Sequence, residues 1–110
     1  MKAVPLLYDS RELLPIEVDL TDDNGQPRDP TTIAVEVAFP VLGEAPADWV
    51  AATWATDYST DPDTYAAEIL VSGTGGGGDV ELERGGYDVY LRLTDGGQRP
   101  VMHPFQVLVR

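Results

Sequence analysis

A two-layer, all-β sandwich of about seven short strands is the fold predicted for this chain. Three features predict it. Several segments alternate apolar and polar residues with period two, clusters of Gly, Pro, Asn and Asp separate them at near-regular intervals, and no segment carries a convincing helical period. A small barrel built from the same strands is the alternative closure. With 110 residues and no cysteine, the chain makes one domain whose core must hold by packing and backbone pairing alone.

The segment Ala3-Val4-Pro5-Leu6-Leu7-Tyr8 is apolar and interrupted by proline, so residues 1–13 are read as an N-terminal arm or first strand ahead of a sandwich at 14–110. Leu14 to Leu20 then alternates apolar and acidic residues, placing Ile16, Val18 and Leu20 on one face. Thr21 to Pro30 is dense in turn formers, with Asn24-Gly25 suited to a tight reversal. Thr32 to Phe39 repeats the alternation with Ile33, Val35, Val37 and Phe39 inward, and Pro40 ends it by withholding an N–H from the ladder. Trp49 to Trp54 is extended again; Trp49, Ala51 and Thr53 face one way, and Val50, Ala52 and Trp54 the other, so at least one tryptophan belongs to the core and the other is partly exposed. Thr56 to Asp63 is a polar loop. Thr64 to Val71 has the length of a two-turn helix, but its Ile-Leu-Val end followed by glycines favours a strand. Gly73 to Gly78 reads as a flexible surface connection. Gly86 to Leu93 alternates cleanly, Asp95-Gly96-Gly97 turns the chain, and Val101 to Val109 closes the domain with Phe105, Val107 and Val109 inward. Pro100 and Pro104 predict an edge position or a bulge early in that last strand.

Nineteen acidic against seven basic residues give a net charge of −12, which repels nucleic-acid phosphate and anionic lipid, and the seven cations form no stripe. No direct nucleic-acid partner is expected. No apolar run approaches the ~20 residues of a membrane span, and Met1 to Pro5 opens no signal-peptide core, so no membrane association is expected either.

Catalytic chemistry finds little to work with. His103 is the one histidine and stands beside Pro104 at a strand start, and Ser10, Ser59 and Ser72 lie in no nucleophile-elbow context. The glycine run lacks the Lys-Ser/Thr ending of a phosphate loop. Two acidic clusters, Asp22, Asp23, Asn24 and Asp29 in one loop and Asp57, Asp61 and Asp63 in another, fail the EF-hand spacing and read as solvated turn residues. The expectation is a non-enzyme with no cofactor and no metal.

Leu82-Glu83-Arg84-Gly85-Gly86-Tyr87 has the spacing Leu-x-x-Gly-x-Tyr, which resembles the tyrosine corner of immunoglobulin-like domains, where a Tyr opening strand F bonds back to the preceding turn. The succession LPIEVDLTDDNGQPRDP, TIAVEVAFP, a tryptophan-containing middle, TYAAEILV, GGYDVYLRLTDGGQRPV and FQVLVR resembles small virion proteins of tailed phages of actinobacteria. It is also similar to the immunoglobulin-like N-terminal domain of phage baseplate upper proteins. The resemblance implies an immunoglobulin-like antiparallel sandwich. It further implies a virion structural role in capsid decoration, head–tail joining or the tail, with a protein made in the bacterial host cytoplasm and placed in multiple copies against other virion proteins. It carries over no functional residues. From the residues themselves, Val4, Leu6, Leu7 and Tyr8 in the arm and Trp49 and Trp54 in the middle are the candidate partner-binding side chains, being large, apolar or aromatic. The alternative is a carbohydrate- or cell-surface-binding module that presents a tryptophan beside the loops at one end.

Overall fold

The structure is a computed structural model and describes residues 3–18, 24–26, 29–55, 65–94 and 100–110. Among these the period-two segments are strands, and no helix occurs: β1 (Ala3–Leu6), β2 (Arg11–Val18), β3 (Ala34–Ala38), β4 (Val50–Ala51), β5 (Thr53–Trp54), β6 (Tyr65–Gly73), β7 (Val80–Leu82), β8 (Gly85–Thr94) and β9 (Val101–Val109). They form an all-β sandwich. One sheet has five strands in the order β1-β9-β8-β3-β4; the other runs β2-β6-β5, with β7 also on β6.

Alternation decides which side chains fill the space between the sheets. Ile16, Val18, Ile69 and Val71 from one layer meet Val35, Val37, Val89, Leu91, Leu93, Phe105, Val107 and Val109 from the other, all buried in a single cluster. Phe39 packs against that cluster from its edge. Leu20 and the turn at Asp95-Gly96-Gly97 lie outside the described residues.

The strand count exceeds the predicted number for physical reasons. The tryptophan segment divides in two: Val50 pairs with Val37 in the five-stranded sheet, while Trp54 pairs with Ala67 in the other. Ala52, between them, donates its N–H to Val35 O at 3.0 Å, so the chain crosses from sheet to sheet in one residue. Two short parallel pairings add the remaining strands, β1 on β9 and β7 on β6, so the sandwich is not purely antiparallel as predicted. The 13/14 boundary of the sequence reading falls inside β2, which pairs with β6 over its whole length from Arg11↔Ser72 to Val18↔Tyr65.

The predicted irregularity early in the last strand is a bulge. Val89 stands opposite Phe105 but Leu91 stands opposite Met102, so β9 spends one more residue than β8 across Tyr90. His103 and Pro104 occupy that extra step. Met102 is thereby turned toward the core, against which it packs.

The glycine run departs from the flexible connection expected of it. Gly73 is the buried last residue of β6. Beyond it the N–H groups of Gly75 and Gly77 each reach a Glu81 carboxylate oxygen at 3.2 Å, and Gly78 N–H donates to Ser72 Oγ at 3.0 Å. Gly75 and Gly77 both sit at φ +83°, the left-handed region where a side chain is strained. The run is a shaped turn wrapped around a carboxylate.

At the β7–β8 turn, Tyr87 donates its hydroxyl to Glu83 O at 2.9 Å, the bond that the Leu-x-x-Gly-x-Tyr spacing predicts. Partial burial and the nearby Glu83 charge hold the Tyr87 phenol above its ordinary pKa, against the opposing effect of that hydrogen bond. Tyr87→Phe is expected to lower stability by about 0.5 to 1.5 kcal/mol. Coincident urea midpoints for the two proteins would show that the bond contributes nothing.

Candidate functional site: the outer face of the five-stranded sheet

The face of β8 opposite the core carries Asp88, Tyr90 and Arg92, alternating with buried Val89, Leu91 and Leu93. Pairing then fixes their neighbours. Glu36 is level with Arg92 on one side and Ala51 on the other, Ala38 is level with Tyr90, Gln106 with Asp88, and Leu108 with both Gly86 and Pro5. The result is a continuous row of outward side chains across the sheet.

At one end Arg92 donates from Nη2 and Nε to Glu36 Oε1, at 2.8 and 3.2 Å, and its guanidinium lies 4.3 Å from the Trp49 ring centroid. The fork is held flat between a carboxylate and an indole, an arrangement a lysine would not reproduce. In the middle the bulge brings His103 onto Tyr90, with ring centroids 4.4 Å apart and planes 17° from parallel.

Asp88 is the most enclosed charged group on this face, with only 5% of its surface exposed. Its Oδ2 accepts Gly43 N–H at 3.0 Å and its Oδ1 accepts Gln106 Nε2 at 3.1 Å. His103 Nε2 stands 3.0 Å from Oδ1 as a charge contact, and that buried nitrogen makes no hydrogen bond. The Gly43 N–H holds the Asp88 carboxyl below its ordinary pKa, helped by Gln106 and His103 and opposed by burial. Structurally, Asp88 ties the chain after β3 onto β8. Asp88 N–H to Pro40 O at 3.0 Å, Leu42 N–H to Gly86 O at 3.3 Å and the bridge between Val41 and Tyr87 complete that attachment. Val41 and Leu42 are therefore presented on a fastened segment while remaining 52% and 48% exposed. Leu42 lies over Gly86, beside exposed Leu108.

Compared with known proteins, the chain matches no family model, no curated protein and no solved structure. Aromatic and arginine side chains fixed by neighbours, next to an exposed apolar pair, suit a protein surface.

The residues singled out in the sequence are distributed differently from that expectation. Leu6 is buried, and Val4 and Tyr8 pack against the core, so the arm's anchors are engaged by this chain's own sandwich. Tyr8 also carries the Arg84 guanidinium 4.2 Å from its ring centroid. Leu7 alone of the four is exposed, at 65%. Trp54 faces inward and donates Nε1–H to Ile33 O at 2.9 Å; Trp49 faces outward under Arg92. The two indoles do not make one platform. Of the acidic clusters, Asp22, Asp23, Asp57, Asp61 and Asp63 lie outside the described residues. Asp29 accepts the Thr31 hydroxyl and N–H at 2.7 and 2.9 Å, which hold its carboxyl below the ordinary range. Among the described residues no three His, Asp or Glu side chains group to hold a metal ion, and no helix is long and apolar enough to cross a membrane.

Asp88, Tyr90, Arg92 and Leu42 did not enter the sequence reading as site residues. The signal for the first three was present in the alternation of β8, whose outward positions hold an acid, an aromatic and an arginine.

Proposed function

We propose that this chain is a non-enzymatic structural protein of a tailed bacteriophage particle, an immunoglobulin-like sandwich present in multiple copies and held by contacts with other virion proteins. The observation that carries the protein-contact part is the fastened outer face, where Trp49-Arg92-Glu36 and Tyr90-His103 hold one another and Leu42 and Leu108 stand exposed on paired backbone either side of Gly86. The immunoglobulin-like part is supported by the order β2-β6-β5 against β9-β8-β3-β4 and by the Tyr87 bond to the turn before it. The virion part rests on the resemblance of the strand and turn succession to small phage virion proteins. The protein is made in the host cytoplasm and works in the particle.

The test uses purified particles of the encoding phage. Mass spectrometry is expected to find the chain in them. The double variant Leu42→Asp/Leu108→Asp, folded by circular dichroism, is expected to rebind stripped particles at least about tenfold more weakly, since it places charge at the centre of the contact. Absence of the chain from particles would remove the virion reading; full-strength binding by the variant would remove this face from it.

A further inference from the structure

A cleft of about 350 Å³ opens on one flank of the sandwich, where the loop after β3 and strand β4 face β7 of the other sheet. Phe39, Val50, Val80 and Leu82 give it an apolar floor: Leu82 is buried and the other three pack against the core. Its charged lining is of one sign, Glu44, Asp48, Asp79 and Glu81, with no Lys, Arg or His. Glu81 is turned into the glycine turn, but Glu44, Asp48 and Asp79 are exposed and make no ion pair among the described residues.

That combination selects an occupant by charge. A second copy of this chain carries −12 and is repelled, as is any anionic lipid or nucleic acid. A single metal ion is not favoured, because among the described residues no three of these carboxylates group closely enough to share one. Several separated carboxylates around one apolar floor instead match several cations flanking one apolar side chain. We propose that this cleft docks a segment of a protein partner that inserts a large apolar side chain between Lys or Arg neighbours. The floor supplies the burial, and the rim supplies the sign and the encounter rate. The inference stands on the chemistry of the cleft and is independent of the virion reading.

The experiment is a nuclear magnetic resonance titration of the isotope-labelled full chain with three capped tripeptides, Lys-Phe-Lys, Glu-Phe-Glu and Lys-Gly-Lys. Lys-Phe-Lys is expected to give saturable shifts at the amides of Val50, Val80 and Leu82, weakening as salt rises to about 0.5 M. The other two peptides are expected to give none there. In the triple variant Glu44→Gln/Asp48→Asn/Asp79→Asn the Lys-Phe-Lys affinity is expected to fall about fivefold, the effect of losing two exposed ion pairs. Asn tolerates the left-handed backbone that Asp48 adopts at φ +54°, so the variant keeps the fold. Equal shifts from all three peptides, shifts confined to another surface, or an unchanged affinity in the triple variant would overturn the proposal.

Discussion

Removing residues 3–8 is expected to destabilise the isolated chain by about 2 to 5 kcal/mol, a large share of the roughly 5 to 15 kcal/mol that holds a domain of this size. The segment is not an appendage. Leu6 is buried, Val4 and Tyr8 pack against the core, and β1 is hydrogen-bonded in register with β9 from Ala3↔Gln106 to Leu6↔Val109. Arg110 N–H to Leu6 O at 2.9 Å and Tyr8 N–H to Arg110 O at 2.8 Å continue the pairing past the strand ends. Deletion would also bare the edge of β9, an invitation to pairing with other chains. Leu7→Ala is the control, expected to change stability by less than about 0.5 kcal/mol because that side chain is mostly in solvent. Urea unfolding of the three proteins decides the matter. A truncated chain as stable as the whole would mean that the segment is a detachable arm after all.

How far the sequence reaches is clearest from particular residues. Period two placed Ile33, Val35, Val37, Phe105, Val107 and Val109 in the core correctly, and the clean alternation of Gly86 to Leu93 buries Val89, Leu91 and Leu93, since alternation on a pleated strand is a local geometric fact. The residues 65–73, with a helix-length apolar run, resolve as a strand because Ile69 and Val71 must both face the other sheet. Pairing partners are not local, and there the sequence is silent. Nothing in Ala3 to Leu6 announces that β9 leaves a free edge for it, so an apolar segment broken by Pro5 reads equally as an arm or a strand. The outer face follows the same division: Asp88, Tyr90 and Arg92 are legible from alternation, whereas His103 reaches Tyr90 only because a bulge shifts the register of β9. Pro104 hinted at the bulge without saying which side chain it would turn.

The glycine run is where composition misleads most, and Gly73→Ala is expected to expose the error at a cost of about 3 kcal/mol, the upper end for forcing a methyl into a filled space. A Cβ at Gly73 would collide with the carbonyl oxygen of Tyr8 and then with its ring. That carbonyl cannot move aside as a long side chain would, because the Tyr8 backbone is bonded to Arg110 and the chain before it is paired with β9. Relief would have to separate the β1–β2 connection from the end of β6. Gly75→Ala makes the comparison: nothing lies within 4 Å of its missing Cβ, so it meets only the strain of φ +83°, about 1 to 2 kcal/mol. A flexible linker would show neither penalty, and entropy would make both alanines mildly stabilising. The ordering Gly73→Ala well below Gly75→Ala, and Gly75→Ala below wild type, in urea midpoint is therefore the signature of a run packed by Tyr8 at one end and shaped around Glu81 at the other. Equal midpoints for the two variants, or either one matching wild type, would return these glycines to the role of a loose connection.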